Sequence, residues 1–265
     1  MPSATRIVSR QHAVVRAFRE AASRAADATP ALIDGEHLLR EALEAGVPIR
    51  AVLTDGRHED LVQQAARAGA EVYAGTRPVI EAASPVRTPS GVVALVSWTP
   101  AAPAAAFAAQ PALVVGLVDV QDPGNVGSAI RSADALGATG VLAVGATADP
   151  AGWKALRGSM GSAFRIPIAR TGLADAVAEA RRSGARVIAT AIGGGTLLPD
   201  ADLRGPVLVL FGHEGRGLPA EALAYADEVF SIPMRAGVDS LNVAVAAALV
   251  LDEARRQRQE AEPTR

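Results

Sequence analysis

The chain has 265 residues, 49% hydrophobic, 20% charged and 3% aromatic, with a formal net charge of -2 and no cysteine. That composition excludes a disordered chain, a core built on aromatic rings, and attraction of the whole molecule to nucleic acid by net charge. It also excludes thiol catalysis, disulfides and cysteine metal sites. No apolar run reaches the roughly 18 residues that span a bilayer, and the start of the chain has no signal-type apolar stretch, so a soluble, cytoplasmic protein is expected.

The positive residues are Arg, with Lys154 the one lysine, and the first 24 residues carry Arg6, Arg10, Arg16, Arg19 and Arg24 against Glu20 alone. Periodicity predicts a basic amphipathic helix over residues 5–26 with Ile7, Val14, Val15 and Phe18 as its apolar stripe, broken by Thr29-Pro30. A strand at 31–33, a helix from Asp34-Gly-Glu-His to Ala45 and a strand at 50–54 follow. A helix at 61–68, a strand at 71–73, a short helix at 78–83 and a strand at 91–98 complete a small α/β layer domain over residues 1–98. His37 and His58 have no second His at ligand spacing, so no metal is expected. Residues 99–111, Ala/Pro-rich and uncharged, read as a linker.

A second domain is predicted over residues 112–265. It opens on Ala112–Val120, a continuous apolar run of the kind found in central parallel strands. Gln121-Asp-Pro-Gly-Asn-Val-Gly-Ser-Ala-Ile-Arg131 follows as a turn and a helix, with Asn125 able to cap it and Arg131 two turns in. Further strands are predicted at 141–144, 167–168, 186–191, 206–211 and 229–232. Each ends in a glycine-rich or polar loop, as in sheets that hold a ligand at their carboxyl edge. The last apolar segment opens a buried helix at Ser240, with Asp239 or Ser240 as its cap. Asn242, an amide inside that helix, either caps a neighbouring loop or serves a site. Glu214, between glycines in Gly212-His-Glu-Gly-Arg-Gly217, reads as a base, a hydrogen-bond partner or a turn residue. The phosphate-loop, dinucleotide and hydrolase-elbow patterns are absent.

Together N-x-G-x-x-x-R at 125–131, G-x-E-G-x-G-L at 212–218 and I-P-M-x(6)-S-L-N-V at 232–243 resemble the three motifs of the SpoU (TrmH-like) family of SPOUT-class RNA ribose 2′-O-methyltransferases. R-G-S-M-G at 157–161, F-R-I-P at 164–167, Leu32–Leu39 and Thr88–Leu95 extend the resemblance, the last two to a small substrate-binding domain related to an RNA-binding ribosomal protein. The resemblance implies a parallel sheet with a deep trefoil knot and a homodimer through the knotted domain. It implies S-adenosylmethionine as cofactor, held at Thr190, Ala191, Leu210, Gly212, Ile232 and Leu241. It also implies Arg131 as the catalytic residue, with Asn125, Glu214, Ser240 and Asn242 orienting it and the ribose. Arg6, Arg10 and Arg16 are expected at the RNA. Ribosomal RNA is the favoured substrate; a tRNA 2′-O-methyltransferase and a catalytically silent RNA-binding relative are the alternatives.

Overall fold

The computed structural model describes residues 4–23 and 29–261. The chain forms two compact units, Met1–Thr99 with Ala151–Phe164, and Pro100–Pro150 with Arg165–Arg265.

The first unit contains β1 (Thr5–Ile7), α1 (Ala13–Ala22), β2 (Ala31–Asp34), α2 (Glu36–Glu44), β3 (Ile49–Thr54), α3 (Glu59–Arg67), β4 (Glu71–Gly75), α4 (Arg77–Ala83) and β5 (Val92–Val96). Its sheet runs β1-β4-β3-β5-β2, parallel on the β1 side and antiparallel around β5. The expected helix over 5–26 is two elements. Ile7 pairs with Gly75 in a short edge strand, and the helix begins only at Ala13, where His12 Nδ1 accepts the N–H of Val14 at 3.2 Å. Val15, Phe18 and Ala21 form the buried face of α1, against Leu32, Leu53 and Ile80. Residues 24–26 of that expectation, with Arg24, lie outside the described residues.

The second unit contains β6 (Leu113–Val118), α5 (Pro123–Ala135) and β7 (Gly140–Val144). After α6 (Trp153–Ser159), which belongs to the first unit, come β8 (Ile168–Thr171), α7 (Leu173–Arg182), β9 (Arg186–Ala191), β10 (Thr196–Leu197), β11 (Val207–Phe211), α8 (Ala220–Tyr225), β12 (Glu228–Ser231) and α9 (Val243–Ala261). The strands pair in parallel in the order β10-β12-β9-β11-β6-β7-β8. Strands β6, β7 and β11 are buried along their whole length, which is why they read as unbroken apolar runs rather than alternating ones. The chain leaves β6 towards β7 and β8 on one side and returns to β9, β11 and β12 on the other. Parallel sheets with such a reversal hold ligands beyond the carboxyl ends of their strands.

Residues 99–111 are not a free linker. Pro103–Phe107 form a 3-10 turn, Ala106 and Phe107 are buried in the core of the second unit, and the N–H of Ala101 bonds the carbonyl of Ile168 at 2.7 Å. Alanine and proline suit a flexible tether by composition, but here their small apolar surfaces pack.

In the first unit the Ser84 hydroxyl donates to Asp34 Oδ2 at 2.6 Å. Burial pushes the Asp34 carboxyl above its ordinary 3.8, against the smaller opposing pulls of Ser84 and the Arg157 charge. A pKa raised in the folded state means the native protein holds this proton more tightly. Its contribution to stability therefore falls as pH rises from the unfolded to the folded pKa, and stays low above. Asp34→Asn keeps an acceptor for Ser84 and removes the buried charge. It should melt higher than wild type at neutral pH, with the gap closing towards about pH 4. A series of thermal melts across pH checks this, and a variant that melts lower at neutral pH contradicts it.

Candidate functional site

Beyond the carboxyl ends of β9, β11 and β12 lies a cavity of about 280 Å³, near the lower end of the range for small-molecule sites. Five segments wall it: Thr190–Ile192 at the end of β9, Phe211–Leu218 at the end of β11, Leu223 of α8, Ile232 and Met234 after β12, and Ser240 to Ala246 at the start of α9. Its surface is mainly backbone and apolar side chain.

The loop after β11 folds back on itself. His213 and Gly217 exchange two backbone hydrogen bonds, N to O 3.1 Å and 2.8 Å, and the N–H of Gly215 donates to His213 Nδ1 at 2.9 Å. Two glycines make this possible. Gly217 has φ +66°, and a Cβ on Gly212 would lie 2.2 Å from the carbonyl carbon of Gly217. The tight loop carries Glu214 at its turn.

Glu214 ends a chain of oriented amides. The residue that caps α5 is Asp122, not Asn125 as expected: its Oδ1 accepts the N–H of Asn125 at 2.9 Å. The side chain of Asn125 is thereby released, and its Nδ2 donates to Glu214 Oε1 at 2.7 Å. Helix α9 starts at Val243, later than expected, and Asn242 rather than Asp239 or Ser240 caps it, Oδ1 accepting from Ala244 N at 2.9 Å. Asn242 Nδ2 then donates to Asn125 Oδ1 at 2.8 Å. Chemistry allows one polarity only. Helix N–H groups are donors, so Asn242 must face them with oxygen, must offer nitrogen to Asn125, and Asn125 must offer nitrogen to the carboxylate. The amide expected inside the apolar helix precedes it, and is both its cap and part of the site.

The other expected residues divide. Thr190, Ala191, Gly212, Ile232, Leu241, Ser240 and Glu214 line the cavity. Leu210 does not: its side chain is fully buried in the core, and only its carbonyl reaches the site's edge, accepting from Thr190 Oγ1 at 2.9 Å. Arg131 is exposed on α5 and does not line this cavity. It lies about 9 Å along the helix from Asn125. Arg6, Arg10 and Arg16 are exposed in the first unit, and Arg16 Nη1 donates to the carbonyl of Gln11 at 3.3 Å. His213, Arg216 and Met234 line the cavity without having been singled out; their places within the quoted motifs were the available signal.

Residues 112–252 match the SpoU rRNA Methylase family, and residues 15–94 the MRM3-like substrate binding domain. The chain belongs to the SpoU rRNA methylase family. It is 34% identical over 221 residues to the 23S rRNA (guanosine(2553)-2′-O)-methyltransferase RlmP of Bacillus subtilis, covering 83% of this chain and 86% of that protein. The AdoMet-bound rRNA methyltransferase of Sinorhizobium meliloti superposes with a TM-score of 0.86 at 31% identity, over 96% of this chain and 98% of that one. The SpoU methyltransferase AviRb of Streptomyces viridochromogenes, in complex with AdoMet, gives 0.82 at 30% identity over 94% and 100%. The three SpoU motifs are the three segments that the structure joins here: α5 carries the first, the β11 loop the second, and the β12–α9 turn the third. The SpoU match also runs through residues 151–164, which pack within the first unit, where a Cβ on Gly161 would collide with the Glu41 side chain.

Among the described residues, no group of His, Asp and Glu could hold a metal ion, and no helix is long and apolar enough to cross a membrane.

Proposed function

We propose that the protein transfers a methyl group from S-adenosylmethionine to a ribose 2′-hydroxyl of RNA, with ribosomal RNA as substrate. The observation that carries this reading is the cavity at the sheet's carboxyl edge with the Asn242–Asn125–Glu214 chain beside it. SpoU membership and the AdoMet-bound relatives support the cofactor; the rRNA named for the Bacillus subtilis relative supports the substrate.

The cavity suits the cofactor. Apolar residues Ile232, Leu241 and Leu218 offer faces for a heteroaromatic ring, and the backbone edges after β9 and β11 offer donors and acceptors at its rim. Thr190, Ala191, Gly212, Ile232 and Leu241 hold it in this reading, with Leu210 contributing through its main chain. S-adenosylmethionine supplies a methyl group on a sulfonium, already a good leaving group. The protein's task is to place the ribose oxygen in line and to lower the cost of its losing a proton. Arg131 serves that task as a permanent cation. A guanidinium stays protonated in proteins, so it steadies the developing alkoxide and the adjacent phosphate rather than taking the proton. Glu214, held by Asn125, and Ser240 at the cavity wall orient the ribose.

In this reading the second unit has the deep trefoil knot of the SPOUT fold. Supporting it, the C-terminal helix is tied to an earlier loop: Gln257 bonds the backbone of Ala201 and Leu203, and Arg258 donates to the carbonyls of Leu203, Gly205, Pro111 and Ala112. The protein is a homodimer through this unit. Support comes from α9, which packs on α5 and leaves Val245 and Leu249, one turn apart, 49% and 44% exposed. The first unit binds RNA through Arg6, Arg10 and Arg16, and the protein works in the cytoplasm.

Transfer of labelled methyl from S-adenosylmethionine to purified rRNA and, separately, tRNA tests the reading. Label at one alkali-resistant rRNA position is the expected result. Label in tRNA alone moves the substrate, and none in either, with cofactor bound, rejects the activity.

The amide chain has its own test. Asn242→Asp still caps α9, but it has no N–H for Asn125. Asn125 must turn to satisfy it and then presents oxygen to Glu214. Breaking a hydrogen bond to a charged group costs about 1.5–3 kcal/mol, which lowers the melting temperature by several degrees, and the loss of an oriented Glu214 should lower methyl transfer about 10–100-fold. Equal turnover in the variant contradicts the role given to the chain.

A further inference from the structure

The cavity wall carries one Arg, and among the described residues no side chain engages it. Arg216 follows Glu214 by two residues in the loop after β11 and lines the cavity, yet among the described residues it makes no hydrogen bond or ion pair. Its nearest acidic neighbour in the loop is already committed, since Glu214 Oε1 takes the amide of Asn125 at 2.7 Å. Among the described residues no ion pair joins the two. The paired His213 and Gly217 and the N–H of Gly215 on His213 Nδ1 pin each side of the turn, so Glu214 faces the amides while Arg216 is exposed at the cavity. The same bond leaves Nε2 as the donor of the His213 ring, a second donor on the same wall.

An exposed Arg anywhere on a surface needs no explanation, because water satisfies it. One on the wall of a largely apolar ligand cavity, with a hydrogen-bond donor beside it, meets whatever the ligand presents there. A guanidinium offers a planar fork of donors and no acceptor, which fits an anionic oxygen pair.

We infer that Arg216, with His213 as second donor, is a binding residue for an anionic oxygen group of a reactant in the cavity. This rests on the proposed methyl-transfer reading, in which two such groups approach: the carboxylate of the cofactor's amino-acid tail, and a phosphodiester next to the target ribose. The chemistry is shared, and the measurement separates the sources.

Arg216→Ala and Arg216→Lys are compared with wild type by calorimetric binding of S-adenosylhomocysteine and of 5′-methylthioadenosine, which lacks the carboxylate, and by filter binding of purified rRNA across a salt series. Should Arg216 hold the carboxylate, Arg216→Ala binds S-adenosylhomocysteine about tenfold or more weakly and 5′-methylthioadenosine as wild type does. Should it hold a phosphate, both small ligands bind normally, rRNA binds more weakly, and the salt slope falls by about one. Lys keeps the charge without the fork, so its loss is smaller in either case. Unchanged binding of all three ligands overturns the inference. Equal weakening of both small ligands overturns it too, because that marks a displaced loop rather than a lost ion contact. Failure of the wild-type protein to bind S-adenosylhomocysteine would instead count against the proposed activity, and is read separately from any variant.

Discussion

Replacing Arg131 by Ala lowers methyl transfer by about 10²–10³-fold while S-adenosylmethionine binds as it does to wild type; this is the scale seen when one oxyanion-stabilising donor is removed. The expectation rests on where Arg131 sits. It is exposed on α5 and is not part of the cavity wall, so its loss takes nothing from the cofactor's contacts. It shares its helix with Asn125, whose side chain reaches Glu214, so it is anchored to the same scaffold as the site. Labelled-methyl transfer to rRNA and calorimetric cofactor binding, measured on one preparation, check both halves. Turnover at the wild-type rate sinks the assignment, and lost cofactor binding shows that Arg131 acts on the cavity rather than on the ribose. In the proposed dimer, Arg131 has two cavities to serve, its own and the partner's. Mixed dimers carrying Arg131→Ala on one chain and a blocked cavity on the other regain activity at one of the two sites if Arg131 serves the partner's cavity, and stay inactive if it serves its own.

Gly212→Ala supplies that blocked cavity and is the second large effect. Its Cβ would sit 2.2 Å from the carbonyl carbon of Gly217, 2.3 Å from Leu218 N and 2.4 Å from Gly217 O. All three are backbone atoms, which cannot swing aside as a flexible side chain would. The two hydrogen bonds between His213 and Gly217 must open, and Glu214 moves off Asn125. Overpacking of this kind costs about 1–3 kcal/mol, and since the distortion falls on the cavity wall it should appear as a 10–100-fold loss of S-adenosylmethionine affinity. Gly215→Ala is the control in the same loop. The nearest atom to its added carbon is 3.8 Å away on the His213 ring, an ordinary contact. Cofactor affinity within twofold of wild type for Gly212→Ala, or a loss in Gly215→Ala as large as in Gly212→Ala, would show that the close approach at Gly212 is not what shapes the site.

Much of the architecture is legible in the chain because parallel strands buried on both faces must be continuous apolar runs, as Leu113–Val118 and Val207–Phe211 are. The first helix was misjudged for a matching reason. Ile7 has the right spacing to join the apolar stripe of α1, but its partner is Gly75, distant in sequence, and nothing within a local window reports that pairing. The stretch at 99–111 reads as a tether because small apolar residues look alike whether they pack or not; burial of Ala106 and Phe107 depends on the core they meet. Leu210 is expected at the cofactor through its main chain; its side chain packs in the core and its carbonyl accepts from Thr190 Oγ1 at the edge of the site.

By itself the sequence determined the class of fold, the family through its three spaced motifs, and seven of the residues that line the cavity. Only the tertiary structure decided how those residues are joined. Asn125 meets Glu214 across 89 residues of chain and Asn242 across 117, through an order of strands that no spacing encodes. The caps depend on the fold in the same way. Asp122 and Asn125 are both able to cap α5, as Asp239, Ser240 and Asn242 are each able to cap α9. In α5 Asp122 caps and leaves Asn125 to the site, and in α9 the cap is Asn242, the residue that can cap and reach the site at once.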